Sequence, residues 1–113
     1  MLFRSHHGLC SFDTARLDTI FDSAVRNGFQ VCTHAIGDSA IGLVLHQYGR
    51  FLCKKNDLRW RIEHAQVVDP VDLSLFNQFS VVPSVQPSNA TSDMYWAEQR
   101  LGSDRVQIGR AHV

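Results

Sequence analysis

The chain has 113 residues, of which 44% are hydrophobic and 19% are charged, and its formal net charge is zero with histidine neutral. This composition predicts one small globular domain and excludes a disordered chain. Because the net charge is zero and the sequence has no basic stripe, we expect no nucleic-acid partner and no anionic membrane partner. No apolar run reaches the ~18–20 residues of a membrane span. The cysteines Cys10, Cys32 and Cys53 lack CxxC spacing, which favours a reduced chain and a cytoplasmic location.

Helical patterns alternate with short apolar segments along the whole chain. The predicted helices cover about 13–27, 38–54, 69–78 and 93–101, and the predicted strands lie within 28–38, 59–66 and 81–87. Asp13 or Ser11 is expected to cap the first helix, Gly28 to end it, and Asp38 to cap the second. Residues 87–92 are expected to form a loop. The order α-β-α-β-α-β-α predicts an α/β fold, with a parallel sheet covered by helices.

Side-chain alternation predicts which face of each strand is polar. In the first strand, Cys32 and His34 share a polar face that suits a cleft or a barrel interior. In the second strand, the same rule groups His64 with Trp60 and Ile62 on the interior face. The opposite face of that strand carries Arg61 and Glu63, which are expected to pair with each other and to be structural.

Two of the predicted strands end in histidines that lie thirty residues apart, His34 and His64. Consecutive parallel strands would place these imidazoles side by side at one edge of the sheet, where both can bind one divalent ion. The alternative is that each is a hydrogen-bonded core or rim histidine, and the spacing alone leaves both interpretations open. A catalytic zinc needs about three protein ligands, so two imidazoles form only part of a site. His46 falls in mid-helix and is expected at the helix surface.

Four other residues are candidates for a chemical role. Asp38 is expected to be a helix cap, with contact to substrate or metal as the alternative. Cys32 is expected to pack in the interior. A nucleophilic thiol needs a neighbouring base, and the sequence places none beside Cys32. Gln86 ends the third strand and is a candidate substrate contact, with Ser84 on the same face.

Three sequence segments resemble the amidohydrolase superfamily and, more narrowly, the amidohydrolase 3 family, which includes N-substituted formamide deformylase-like enzymes. The segments are GFQVCTHAIGD, RIEHAQ and PSVQPSNATSDM, in chain order. The resemblance implies a metal-dependent (β/α)8 TIM barrel that hydrolyses carbon–nitrogen bonds in non-peptide amides, with a small-molecule substrate. The chain would cover about strands 5 to 7 of that barrel with their helices.

The resemblance also implies roles for particular residues. His34 and His64 match the histidines that bind metal at the ends of the fifth and sixth barrel strands. The metal would be divalent, with zinc expected, as one or two ions in the complete enzyme. No catalytic residue is expected within the chain, because the general-base Asp of the family would lie downstream. Asn89 stands where His is expected in close relatives, and Asn89 and Gln86 are the candidate substrate-binding residues.

The resemblance predicts an incomplete catalytic domain. Residues 1–106 are expected to form a partial catalytic barrel that is inactive alone. Residues 107–113, QIGRAHV, match one reading frame of common sequencing-adapter DNA (CAG ATC GGA AGA GCA CAC GTC) and are expected to be a non-native read-through tail, with a natural polar tail as the alternative.

Two further readings of the chain stay open. One is a small, non-enzymatic α/β binding module with incidental histidines. The other is an unstable fragment, because bare sheet edges favour aggregation or a molten state. The oligomeric state is not predicted by the sequence.

Overall fold

Three parallel strands form a single sheet in the order β1-β2-β3, and these strands are Cys32–Ala35, Arg61–His64 and Val82–Val85. The computed structural model describes residues 10–103, and for Ala90 it describes the backbone alone. The register places Thr33 beside Ile62 and Ile62 beside Pro83. All three strands therefore end at the same edge of the sheet, as the alternation of helices and strands predicts.

Five helices accompany the strands within the described residues: α1 Thr14–Asn27, α2 Asp38–Phe51, α3 Leu73–Gln78, α4 Pro87–Asp93 and α5 Ala97–Leu101. One turn of 3₁₀ helix, Pro70–Asp72, leads into α3. The segment expected to be a loop after β3 is thus helical, because Pro87 is accommodated in the first turn of α4. The α2 helix ends at Phe51, before the predicted boundary at Lys54. No helix in the span 10–103 has the length and hydropathy required to cross a bilayer.

The two ends of α1 follow local signals in the sequence. The Asp13 carboxylate accepts a hydrogen bond from a first-turn backbone N–H, and Gly28 ends the helix with a left-handed φ of 67°. The prediction that Asp38 caps α2 is wrong, because Gly37 occupies the cap position. Asp38 is the first helical residue, and its carboxylate accepts from the Ser39 N–H at 2.8 Å. An acidic group is favourable there because it lies beside the positive end of the helix dipole.

An aromatic cluster forms the centre of the core between the sheet and the helices. Phe21 of α1, Tyr48 of α2 and Trp60 are each at most 1% exposed. Their ring centroids lie 4.8–5.4 Å apart in edge-to-face or tilted arrangements. The Trp60 indole N–H donates to the Phe29 carbonyl oxygen at 3.0 Å, so its polar atom is also satisfied.

This core shows that the predicted faces of β2 are reversed. Ile62 is fully buried and lies beside Thr33, whose hydroxyl contacts Tyr48 of α2 at 2.6 Å. Trp60 and Ile62 therefore pack under the helices instead of facing a barrel interior. Arg61 lies on the opposite face of the sheet. The physical reason is burial, since an apolar pair gains free energy beneath the helices and a charged pair would lose its hydration there.

Candidate metal centre

Polar side chains from all three strands share the face of the sheet that is turned away from the aromatic cluster, here called the polar face. The register aligns Cys32 with Arg61, and it aligns His34 with Glu63 and Ser84. Cys32 and His34 are exposed, as their predicted placement together on a polar face requires. Glu63 lies beside His34 on this face, which corrects the prediction that Glu63 would face the helices.

His64 reaches His34 by leaving the regular strand conformation. Its register partner, Ala35, is 2% exposed and lies on the helix side, so a regular strand would turn His64 in that direction. His64 instead has a φ of 71°, and the following Ala65 has a φ of 43°. The imidazole rings of His34 and His64 lie edge to face, with centroids 4.5 Å apart and an interplanar angle of 72°.

Two successive left-handed residues without glycine are costly, and the surrounding structure holds them in place. A non-glycine residue in this region costs on the order of 1–3 kcal/mol. The Ala65 N–H donates to the Ala35 carbonyl oxygen at 3.2 Å, and the Val67 N–H donates to the Ile36 carbonyl oxygen at 2.9 Å. These bonds anchor the chain just beyond His64 to the last residue of β1 and the residue that follows it. Local strain that brings two imidazoles together is typical of functional sites.

The donor set of the pair suits a divalent ion of the zinc type, because neutral imidazole nitrogen is among its preferred ligands. No group of three or more His, Cys, Asp or Glu side chains within residues 10–103 is arranged to hold a metal. Within this part of the chain, His34 and His64 bring two such nitrogen donors together.

The carboxylate of Glu63 is held in its ionised form on the polar face. A hydrogen bond with Ser84 and the positive charge of Arg61 lower the pKa of Glu63 below its ordinary value, against the opposing effect of desolvation. Arg61 Nε and Glu63 Oε1 form an ion pair at 2.5 Å, which confirms their predicted pairing, although the contact lacks hydrogen-bond geometry. The carboxylate also lies near His64, and Arg61 balances its charge.

The two candidate substrate contacts lie just beyond β3. Gln86 is exposed and precedes the first residue of α4, and its carbonyl oxygen accepts from the Asn89 N–H at 3.0 Å. The Asn89 side chain is half-buried, and its Nδ2 donates to Gln66 Oε1 at 3.2 Å. Gln66 Nε2 in turn donates to Asp93 Oδ2 at 2.5 Å. Sequence reasoning missed this contact, although Gln66 closes the RIEHAQ segment only two residues after His64.

The other candidate residues are His46 and the cysteines. His46 is exposed on α2, as predicted, and its Nε2 lies 3.5 Å from Asp72 Oδ1. Cys10, Cys32 and Cys53 form no disulfide within the described residues, and all three are exposed. Cys32 lies on the polar face, so its expected packing in the interior stays a prediction. The predicted read-through segment 107–113 lies outside the described residues.

Comparisons with known proteins connect this geometry to a family. The chain is 36% identical over 104 residues to Protein LONG AFTER FAR-RED 3 of Arabidopsis thaliana, a match that covers 90% of this chain and 18% of that protein. It is 32% identical over 107 residues to the Bacillus subtilis (strain 168) protein named "Putative amidohydrolase YtcJ", with 95% of this chain and 20% of that protein covered.

A solved structure shows the same fold. An uncharacterized metal-dependent hydrolase from Pyrococcus furiosus superposes with a TM-score of 0.77 at 27% identity, over 91% of this chain and 21% of that chain. The chain thus spans about a fifth of the length of the proteins that it matches. A model of the amidohydrolase family matches residues 2–109, and the chain therefore belongs to the amidohydrolase family.

Proposed function

We propose that this chain is part of a metal-dependent hydrolase that acts on carbon–nitrogen bonds of non-peptide amides, with His34 and His64 as two of its metal ligands. The observation that carries the proposal is the edge-to-face contact of these two imidazoles at the ends of adjacent parallel strands. Functional residues of α/β barrels gather at this end of the strands. Membership of the amidohydrolase family and the likeness to a metal-dependent hydrolase support the same conclusion.

The proposed metal is a divalent ion, with zinc as the first candidate and one or two ions in the complete enzyme. When bound, such an ion supplies Lewis acidity toward the amide carbonyl and lowers the pKa of water. The residues of this chain contribute by binding and orientation. The left-handed turn at His64 aims its ring at His34, and Glu63 lies beside His34 on the same face.

The proposal places this chain within a (β/α)8 barrel, with β1, β2 and β3 as about the fifth to seventh strands. Residues 1–106 would be a partial catalytic barrel, and 107–113 a non-native tail. The polar face of the sheet would then line the barrel interior, which agrees with the exposure of Cys32 and His34 in this structure. A cytoplasmic location is proposed with it.

On the substrate side, Gln86 and Asn89 are proposed to contact a small amide-type molecule. Both lie at the edge where β3 ends, and Val85 of β3 is the register partner of His64. The chain by itself is proposed to be inactive, because the described residues supply two imidazole ligands and the proposed general base would lie downstream. Turnover of a simple N-substituted formamide by the purified chain with added zinc would contradict the proposed inactivity.

A zinc titration of the full chain, followed by NMR signals of the individual imidazoles, tests the proposed ligands. We expect the ring signals of His34 and His64 to shift together. Replacement by His34→Ala or by His64→Ala should weaken zinc binding at least about tenfold, since each removes one of two ligands. The matched control is His46→Ala, which removes an exposed imidazole on α2 and should leave the affinity unchanged.

Equal zinc affinity in all four proteins would overturn the proposal and favour the binding module with incidental histidines. The same would follow if zinc shifted only the signals of other histidines.

A further inference from the structure

A chain of side-chain hydrogen bonds crosses from the end of β2 to α4. Asn89 Nδ2 donates to Gln66 Oε1 at 3.2 Å, and Gln66 Nε2 donates to Asp93 Oδ2 at 2.5 Å. The second carboxylate oxygen of Asp93 accepts from the Ser92 hydroxyl at 2.9 Å. The two contacts of Gln66 join residues that are 23 and 27 positions apart in sequence, so they are tertiary contacts and not products of one helix.

The Asp93 carboxylate determines the direction of each hydrogen bond in this series. A carboxylate only accepts hydrogen bonds, so Gln66 must present its NH₂ group to Asp93. The Gln66 oxygen is then the atom that faces Asn89, and Asn89 must donate through Nδ2. Two groups of the Asn89 carboxamide remain, the second N–H of Nδ2 and the acceptor Oδ1, and within residues 10–103 Oδ1 accepts no hydrogen bond.

The hydrogen-bonded residues lie at the same edge of the sheet as the imidazole pair. Gln66 follows His64 by two residues. Asn89 is the third residue of α4, which begins two residues after Val85, the register partner of His64. Asn89 is half-buried, and its Nδ2 is held by Gln66.

We infer that Asp93 and Gln66 are positioning residues that orient the Asn89 carboxamide, so that its Oδ1 accepts a hydrogen bond from an N–H group of the ligand. The chemical class of ligand is therefore a primary or secondary amide, and an N,N-disubstituted amide lacks the donor. This inference rests on the proposed function for its ligand class. The hydrogen-bonded residues Asn89, Gln66 and Asp93 are not among the proposed metal ligands.

A pair of probes that differ in one N–H tests the inference. N-Methylacetamide carries an amide N–H, and N,N-dimethylacetamide has the same carbonyl without it. We expect N-methylacetamide to shift the Asn89 side-chain NMR signals with an apparent affinity about fivefold higher than that of N,N-dimethylacetamide. This ratio corresponds to one neutral hydrogen bond. Equal responses to the two probes in the unaltered chain would overturn the inference without any variant.

Asp93→Asn tests the directing role of the carboxylate. An asparagine can donate or accept, so it no longer dictates which end of Gln66 faces Asn89. We expect the ratio of the apparent affinities for N-methylacetamide and N,N-dimethylacetamide to fall toward one. The chemical shift of the Gln66 side-chain NH₂ group should also change. The control Asp57→Asn alters an exposed carboxylate paired with Arg59 and should keep the full preference. An undiminished preference in Asp93→Asn would refute the role of Asp93.

The titrations are carried out with a chelator present, which separates this result from the proposed metal site. Failure of zinc binding at His34 and His64 leaves the probe preference testable. A missing probe preference, in turn, leaves the zinc titration unaffected.

Discussion

The imidazoles of His34 and His64 meet edge to face with ring centroids 4.5 Å apart, although the register of their strands assigns them to opposite faces of the sheet. A φ of 71° at His64 turns its side chain from the helix side to the polar face. The site is therefore made by a local departure from strand geometry, held by backbone hydrogen bonds just beyond the two strands. Its energetic cost is open to measurement.

Substituting His64 by Gly and by Ala measures the strain at this position. Glycine occupies the left-handed region freely, whereas alanine pays about 1–2 kcal/mol there. We therefore expect the free energy of unfolding of His64→Gly to exceed that of His64→Ala by about 1 kcal/mol, measured by urea denaturation with Trp60 fluorescence as the signal.

The same pair of substitutions at His34 is the control. His34 lies in β1 and is not among the residues with positive φ. His34→Gly should be less stable than His34→Ala by about 0.5–1 kcal/mol, because glycine loses more entropy in a strand. The same order of stability at both positions would contradict the assignment of strain to His64.

Tyr48 should make the stability of the chain depend on alkaline pH. Burial raises the pKa of Tyr48 far above the ordinary phenol value, and the hydroxyl donates to the Arg61 carbonyl oxygen at 3.2 Å. Below about pH 10 the phenol is neutral in both the folded and the unfolded state. Above it, only the unfolded state ionises, so the free energy of unfolding falls as the pH rises toward the folded-state pKa.

We expect the free energy of unfolding to fall about 1.4 kcal/mol more between pH 9 and pH 11 in the unaltered chain than in Tyr48→Phe. Urea denaturation at several pH values measures the difference. Tyr95 is 79% exposed, so Tyr95→Phe should keep the steep pH dependence. Parallel pH profiles for the unaltered chain and Tyr48→Phe would show that the buried phenol is not responsible.

Gly49 allows α2 to approach the aromatic ring of Phe79. A Cβ at this position would lie 2.6 Å from Cε2 and Cζ of that ring. In an exposed helix, Gly→Ala stabilises by about 1 kcal/mol. Here we expect Gly49→Ala to lower the free energy of unfolding by about 1–3 kcal/mol instead, because the partly buried ring, which packs against the core, must move.

A double-mutant cycle isolates this contact. In a Phe79→Leu background the cost of Gly49→Ala should shrink by at least about 1 kcal/mol, since the ring is gone. Additive effects of the two substitutions would mean that the close approach does not limit the packing of α2.

Much of the secondary structure follows from signals within a few residues of each element. Asp13 caps α1, Gly28 ends it, and Asp69 accepts from the Val71 N–H at the start of the 3₁₀ turn. The alternation of helices and strands was enough to predict a parallel sheet, and the structure arranges its strands in the order β1-β2-β3. By contrast, α4 was missed because Pro87 and the polar residues after it are as typical of a loop as of a first helical turn.

The sequence by itself determined the order of the elements, the two strand-end histidines and the segments that mark the amidohydrolase family. Tertiary structure alone decided which face of β2 the helices cover, because alternation gives two faces and only packing against Tyr48 selects between them. It also decided the turn of His64, since a left-handed backbone is imposed by hydrogen bonds between distant segments. The contact of Gln66 with Asp93 has the same origin, because it joins side chains that no local rule brings together.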